Sequence, residues 1–323
     1  MDNHAWSVAL RSAYNDQRKS SEASRQIKLP SGLTFSGTLD CAEIEISKAA
    51  VEANMQSDSA AFDGWAFALM RWLGVRKFRL AAEIGINPSG GHSQRFSFRL
   101  DRFRQLVRDV EIDTTLSDLV DQASWSNGSP VLNIAKGSRG YVGTLVAQVS
   151  EADLEILLCH NPVARKRLKR EFNLNRLCRQ FPVGLFNGKV SAASRIFPGG
   201  KSALDLIGVD QNGNVHIFEL KKPKNAKVGA LSELVFYLAV LEEARIERWG
   251  FEDLRKLDKQ AGVSPEHVTG APAIRGHLLA PQFHPLLDDE LLKLVTKAME
   301  SAGWGTSVDR HSLSPFLPVS DTA

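Results

Sequence analysis

The sequence predicts an α/β protein organised as two domains, and three observations carry that expectation. Its 323 residues divide naturally in two at about 150 residues per domain. Helical and β-like patterns alternate in both halves. A turn-rich stretch with glycines at 137, 140 and 143 separates them. The first domain is expected over 1–145, as α/β or α+β with no chemical motif. The second is expected over 146–310, and 311–323 as a flexible tail.

In chain order, a short first helix leads into the polar segment 15–31. From Ile44 to Leu73 the apolar residues fall at helical intervals. Lys77 to Ile84 and Arg95 to Leu100 read as strands, because Phe96, Phe98 and Leu100 alternate with Arg95, Ser97 and Arg99. The arginine face is either solvated or turned to phosphate. The intervening NPSGGHSQ reads as a hairpin loop, since it lacks the Gly-Lys-Ser/Thr ending of a phosphate loop. Ser150 and Asp153 form a capping box that starts a helix. Strands follow at Ala203–Val209 and Val215–Lys221, a helix at Val228–Arg245, a strand at Ala273–Ala280 and a helix at Pro285–Met299.

Composition narrows the function classes. The charged fraction is 24% and the hydrophobic fraction 43%, which excludes fibrous and wholly disordered chains. No apolar run is long enough for a membrane span, so the chain reads as cytoplasmic. Cys41, Cys159 and Cys178 are widely spaced and expected as buried thiols. The eight histidines show no metal-ligand spacing. There is no GxSxG elbow, Walker A motif or Rossmann fingerprint. Forty basic residues against 37 acidic leave a net charge of +3, too small by itself to name a polyanion partner, although a local patch can hide in it.

The chemistry concentrates in ALDLIGVDQNGNVHIFELKKPK. Side chains alternate along a strand, so Val215, Ile217, Glu219 and Lys221 share one face and His216, Phe218 and Leu220 the other. Loop parity decides where Asp205 lies. A two-residue Asn212-Gly213 turn would set Asp205 across from Leu220, behind the sheet. A three-residue loop, Gln211-Asn212-Gly213 with Gly213 left-handed, sets Asp205 directly across from Glu219, and this odd loop is the expectation. Two opposed carboxylates repel unless a cation lies between them. Mg²⁺, with Mn²⁺ as a substitute, suits such oxygen ligands, with the Leu220 carbonyl as a further donor. Lys221 would then orient water or stabilise charge on phosphorus.

Asp205, thirteen intervening residues and then Glu219-Leu220-Lys221 resemble the PD-(D/E)XK nuclease superfamily, in its RecB-like and NucS-like branches. The resemblance spans about 150 to 310. It implies a restriction-endonuclease-like core, a mixed sheet flanked by helices, with Asp205, Glu219 and Lys221 catalytic and the two carboxylates holding the metal. Leu204 stands where the family name has proline. Glu233 and Tyr237, one helical turn apart, occupy the place of a Gln-x-x-x-Tyr motif, with Glu233 replacing the glutamine. Glu171 is the expected acidic residue from the helix before the hairpin, or else the ion-pair partner of Arg167 or Arg170.

A basic stretch fits a nucleic-acid partner. Arg165, Lys166, Arg167, Lys169, Arg170, Arg176 and Arg179 stand against Glu171 alone, a local charge of 7 − 1 = +6. Lys222, Lys224 and Lys227 follow Lys221, and Lys201 lies in the Phe197-Pro198-Gly199-Gly200 loop. The leading expectation is an Mg-dependent nuclease acting on DNA, in a homodimer or a larger defence, restriction or repair complex by analogy with the superfamily. A second reading is a nucleic-acid-binding or assembly module that keeps the fold without turnover. A third, an unrelated α/β protein with a surface Glu219–Lys221 ladder, requires Asp205 and Glu219 to lie apart.

Overall fold

The computed structural model describes residues 1–18, 27–55, 58–134, 150–198, 203–222, 227–252 and 262–317. Over these it is a mixed α/β protein whose sheets are flanked by helices. Helix α1 (Asn3–Arg18) buries Trp6, Leu10 and Tyr14, the one-turn spacing of an amphipathic stripe. Strand β1 (Leu33–Gly37) pairs antiparallel with β2 (Cys41–Ile46), and β3 (Lys77–Ala82) and β4 (Asp109–Ile112) extend the sheet in parallel. Parallel neighbours need crossovers, supplied by α2 (Phe62–Leu73) and α3 (Gly91–Leu106). The next helix, α4 (Thr114–Asp121), is capped by Asp113, whose side chain accepts from the Leu116 N–H.

The chain continues through β5 (Pro130–Leu132), α5 (Glu151–His160), α6 (Pro162–Glu171), β6 (Leu174–Pro182), β7 (Leu185–Asn187), β8 (Ala203–Asp210) and β9 (Val215–Leu220). After these come α7 (Gly229–Arg245), β10 (Gly250–Phe251), β11 (Ile274–Ala280), α8 (Asp289–Ser301) and β12 (Thr306–Ser312). Strands β10, β5 and β7 form a small sheet. The main sheet has the order β12-β11-β9-β8-β6, with β9, β11 and β12 parallel and the β8–β9 hairpin antiparallel.

Period-two alternation gives the main sheet two buried faces. Val215 and Ile217 of β9, Ile207 and Val209 of β8 and Ile274 of β11 join the large core with α7. Phe218, Leu220, Leu206 and Leu279 join a second core under α5 and α6. The large core continues into the first half of the chain, from Trp6 to Val308. Polar contacts cross the same junction: Gly64 N–H donates to Ser232 Oγ at 3.1 Å, Trp72 Nε1–H to the Leu286 carbonyl at 3.0 Å, and Arg102 pairs with Glu243 at 2.8 Å. Gly64 is required there, because a Cβ would lie 2.7 Å from Ser232 Oγ.

Several expectations need correcting. Arg95–Leu100 is not a strand but the middle of α3, with Arg95, Phe96, Ser97, Phe98, Arg99 and Leu100 all buried. Over Ser93–Leu100 the helix is buried on every side, so two-residue alternation inside it is a coincidence of composition. Arg95, Arg99 and Arg102 are neither solvated nor open to phosphate: Arg99 pairs with buried Asp63, Arg102 with Glu243, and Arg95 donates to the Pro198 carbonyl at 3.2 Å. The glycine-rich loop before it is therefore not a hairpin loop, and Gly90 is the N-cap of α3. Among the described residues, the stretch Ile44–Leu73 is helical only in short turns at Lys48–Val51 and Asp58–Ala60 and in α2. Residues 174–179, the second part of the basic stretch, form most of β6. The tail is folded as far as 317: β12 completes the sheet, and Leu313 and Phe316 are buried in the second core. Cys159 is buried, while Cys41 and Cys178 are half-buried. The boundary expected at 145 lies outside the described residues.

Candidate active site

The β8–β9 register pairs Val209 with Val215, Gly208 with His216, Ile207 with Ile217 and Leu206 with Phe218. One further step sets Asp205 across from Glu219. The loop has three residues, with Asp210 N–H donating to the Asn214 carbonyl and Gly213 at φ +84°, the left-handed conformation that glycine adopts without strain. Asp210 fixes the turn through its side chain, accepting from the N–H groups of Asn212 at 2.8 Å and Asn214 at 2.9 Å.

Four of the expected site residues meet through charge and hydrogen bonds on the face of the sheet covered by α7. Lys221 Nζ donates to Glu219 Oε1 at 2.5 Å and to Glu233 Oε2 at 2.9 Å. Asp205 Oδ2 accepts from the Leu220 N–H at 2.8 Å. Tyr237 extends the cluster with a long contact, its hydroxyl 3.5 Å from Glu233 Oε1. Glu219, Lys221, Glu233 and Tyr237 are all buried, while Asp205 is half-buried. Sequence alone places Glu233 and Tyr237 on one helix face; the packing of α7, the crossover between β9 and β11, turns that face to Lys221.

The electrostatics of the cluster are one-sided. Burial pushes the Asp205 carboxyl up to about 8; Glu155 and Glu233 push the same way, against the Leu220 N–H and Lys221. Burial also holds Glu219 well above the usual carboxylate range, with Asp205 and Glu233 adding to the effect. For Lys221, burial opposes the charge, but Glu219 and Glu233 outweigh it and keep the ammonium firmly protonated. Burial and the same carboxylates raise the Tyr237 hydroxyl well above its ordinary value. Several carboxylates thus share one ammonium in a desolvated space. A donor set of this kind, hard oxygens with surplus negative charge, fits a divalent cation such as Mg²⁺.

Glu171 is not brought to this cluster: it ends α6 with its side chain exposed. The carboxylate that acts on Asp205 from this part of the chain is Glu155 of α5. Buried Glu155 accepts from Gln180 Nε2 at 2.7 Å and pairs with Arg179 at 3.1 Å. Its signal in the sequence is a lone acid inside the apolar run Leu154–Leu158. Arg95 is the other residue that sequence reasoning missed here. It enters from α3, and its charge acts on Tyr237 and Glu233.

The expected nucleic-acid contacts divide in two. Arg165, Lys166 and Arg170 are exposed on α6, and Lys222 is exposed just after Lys221. Arg167 donates to the Leu317 carbonyl at 2.6 Å, Lys169 to the Asn175 carbonyl at 2.9 Å and Arg176 to the Gly262 carbonyl at 3.3 Å, and Arg179 pairs with Glu155. These four tie the fold together. Lys201 and Lys224 lie outside the described residues. Among the described residues no helix is long and apolar enough to cross a membrane.

No protein-family model matches this chain, and no curated protein does. Among solved structures the chain is similar to the crystal structure of a repair endonuclease from Pyrococcus abyssi, at 21% identity and a TM-score of 0.24. The match covers 52% of this chain and 50% of the other, so the chain spans about half the length of that structure. At that TM-score the similarity adds nothing to the geometry of the site, which stands on the residues above.

Proposed function

We propose that this protein is a metal-dependent nuclease that hydrolyses phosphodiester bonds in DNA. The observation that carries the reading is the convergence of Asp205, Glu219 and Lys221 on one face of a hairpin, with Glu233 behind the lysine. Asp205 and Glu219 would hold Mg²⁺ or Mn²⁺. When bound, such a cation lowers the pKa of its water and screens the charge of the phosphate.

The remaining work falls to residues of the chain. Leu220 N–H holds one Asp205 oxygen and so anchors the carboxylate to the neighbouring strand. Glu233 accepts from Lys221 and so keeps the ammonium beside Glu219 rather than in solvent. From there Lys221 stabilises negative charge as it develops on the phosphate oxygens. The pairing of Lys221 with Glu219 and Glu233 also suits the alternative, a binding module in which the lysine has a structural role. Cleavage decides between them.

The test compares nicking of plasmid and degradation of linear DNA by wild type and Lys221→Ala, each with Mg²⁺ and with EDTA, after circular dichroism shows both to be folded. The expected result is metal-dependent cleavage that falls about 10²-fold or more in the variant, the scale of losing one charge-stabilising group. Equal cleavage by both proteins rules this site out. DNA binding without cleavage by either selects the binding module.

A further inference from the structure

The other face of the main sheet carries a line of polar side chains that the proposed nuclease site does not use. His277 lies directly across from Asp309 in the β11–β12 register. Asp210 Oδ2 faces His216 Nε2 at 3.3 Å, His216 Nδ1 faces His277 Nε2 at 2.9 Å, and His277 Nδ1 faces Asp309 Oδ1 at 2.5 Å. His311 Nε2 reaches the same Asp309 oxygen at 2.9 Å. The rings are held in place by Phe172, whose centroid lies 4.5 Å from His277 and 4.9 Å from His311.

Counting protons exposes a mismatch. Each neutral imidazole carries one N–H, and an ionised carboxylate carries none. The line from Asp210 to Asp309 has three contacts, and two neutral imidazoles supply only two N–H groups to fill them, so the third contact needs a further positive centre, a proton or a metal ion. A cation at the Asp309 end removes the conflict. Asp210 then accepts from His216 Nε2–H, and His216 Nδ1 accepts from His277 Nε2–H. His277 Nδ1, Asp309 Oδ1 and His311 Nε2 are left presenting lone pairs to one point. The ligand atoms of these three residues already lie within 4.8 Å of one another.

We propose that His277, Asp309 and His311 form a zinc site that clamps β12 and the C-terminal turn onto the sheet, with water as the fourth ligand. Two imidazoles and a carboxylate with one open position are a zinc donor set, and bonds of about 2.0–2.2 Å require the contacts to Asp309 to open by less than about 1 Å. His216 and Asp210 supply the outer support that fixes the tautomer of a liganding histidine. Buried His277 forms the floor, while the Asp309 side chain is 52% exposed and that of His311 30%, which leaves an entry path and room for water. The spacing is invisible locally because 277 and 311 stand on different strands.

The test uses the untagged full-length chain, stripped with chelator and carrying Asp205→Asn and Glu219→Gln so that the nuclease site takes no metal. Calorimetric titration with Zn²⁺ is expected to give one equivalent. Co²⁺ is expected to give the intense visible absorption of a tetrahedral site. Thermal unfolding is expected to shift upward with Zn²⁺. Introducing His311→Ala, a half-exposed position, is expected to abolish all three responses while circular dichroism stays unchanged, and Asp309→Ala to do the same. Absence of stoichiometric binding, or equal binding by the His311→Ala protein, overturns the proposal.

Discussion

At Asp205 two demands oppose each other. Its carboxyl is raised to about 8 by burial and by neighbouring carboxylates, whereas the unfolded chain ionises at the ordinary value. From about pH 4 to about pH 8 the unfolded state has therefore lost a proton that the folded state keeps, and stability falls as pH rises through that window. Asparagine carries no charge and can still accept from the Leu220 N–H. In EDTA, Asp205→Asn is accordingly expected to be more stable than wild type by about 1–2 kcal/mol at pH 8, with the gain fading towards pH 4. Urea midpoints at the two pH values check this; a variant that is equally or less stable at pH 8 contradicts a strained carboxylate pair. Mg²⁺ is expected to stabilise wild type and not the variant.

The hairpin is the element in which sequence and structure agree most closely, and the reason is physical. A strand has period two, so a single decision about loop length sets every side chain on its face, and Gly213 marks that decision. Gly213→Ala forces a side chain into the left-handed region and is expected to cost about 1–2 kcal/mol, measured as a shift in urea midpoint. No loss would place the turn in another conformation. Helices capped by short motifs, such as Ser150-Glu-Ala-Asp153 at the start of α5, were legible for a similar reason: the signal is local. Helix α3 was not, because Arg99 and Arg102 are neutralised by Asp63 and Glu243 at distant positions. Glu155, Arg95 and strand β12 escaped detection for the same cause, since each takes its meaning from residues far along the chain.

Across the whole molecule, α3 and α7 join the two halves through a buried pair. Arg102 meets Glu243 at 2.8 Å, with the guanidinium 5.0 Å from the Phe98 ring. Burial already raises the Glu243 carboxyl, and Arg102 counters it. Arg102→Leu leaves that carboxylate with only the exposed Arg248 at 3.3 Å and is expected to cost up to about 3–5 kcal/mol, less as the pH falls and the carboxylate takes a proton. Because the large core runs through both halves, tryptophan fluorescence and far-ultraviolet circular dichroism are expected to report one shared transition, displaced as a unit. Two separated transitions, only one of them shifted, would show that the junction does not couple them.

Charge at the scale of the whole molecule bears on how DNA would be held. A net charge of +3 over 323 residues supplies little general attraction, so affinity in the proposed nuclease must come from local groups that face solvent. Four of the seven cations between 165 and 179 make contacts within the fold, Arg167 and Arg176 while still exposed; Arg165, Lys166 and Arg170 are exposed together on α6. Each phosphate contact contributes about 0.9 to the slope of log affinity against log salt on duplex DNA. Replacing these three residues together with alanine is therefore expected to lower that slope by about 2–3, weakening binding equally on unrelated sequences and leaving the fold unchanged. Fluorescence anisotropy of a labelled duplex over a salt series provides the measurement. An unchanged slope moves the DNA path away from α6, to the side of Lys222 just after the β8–β9 hairpin.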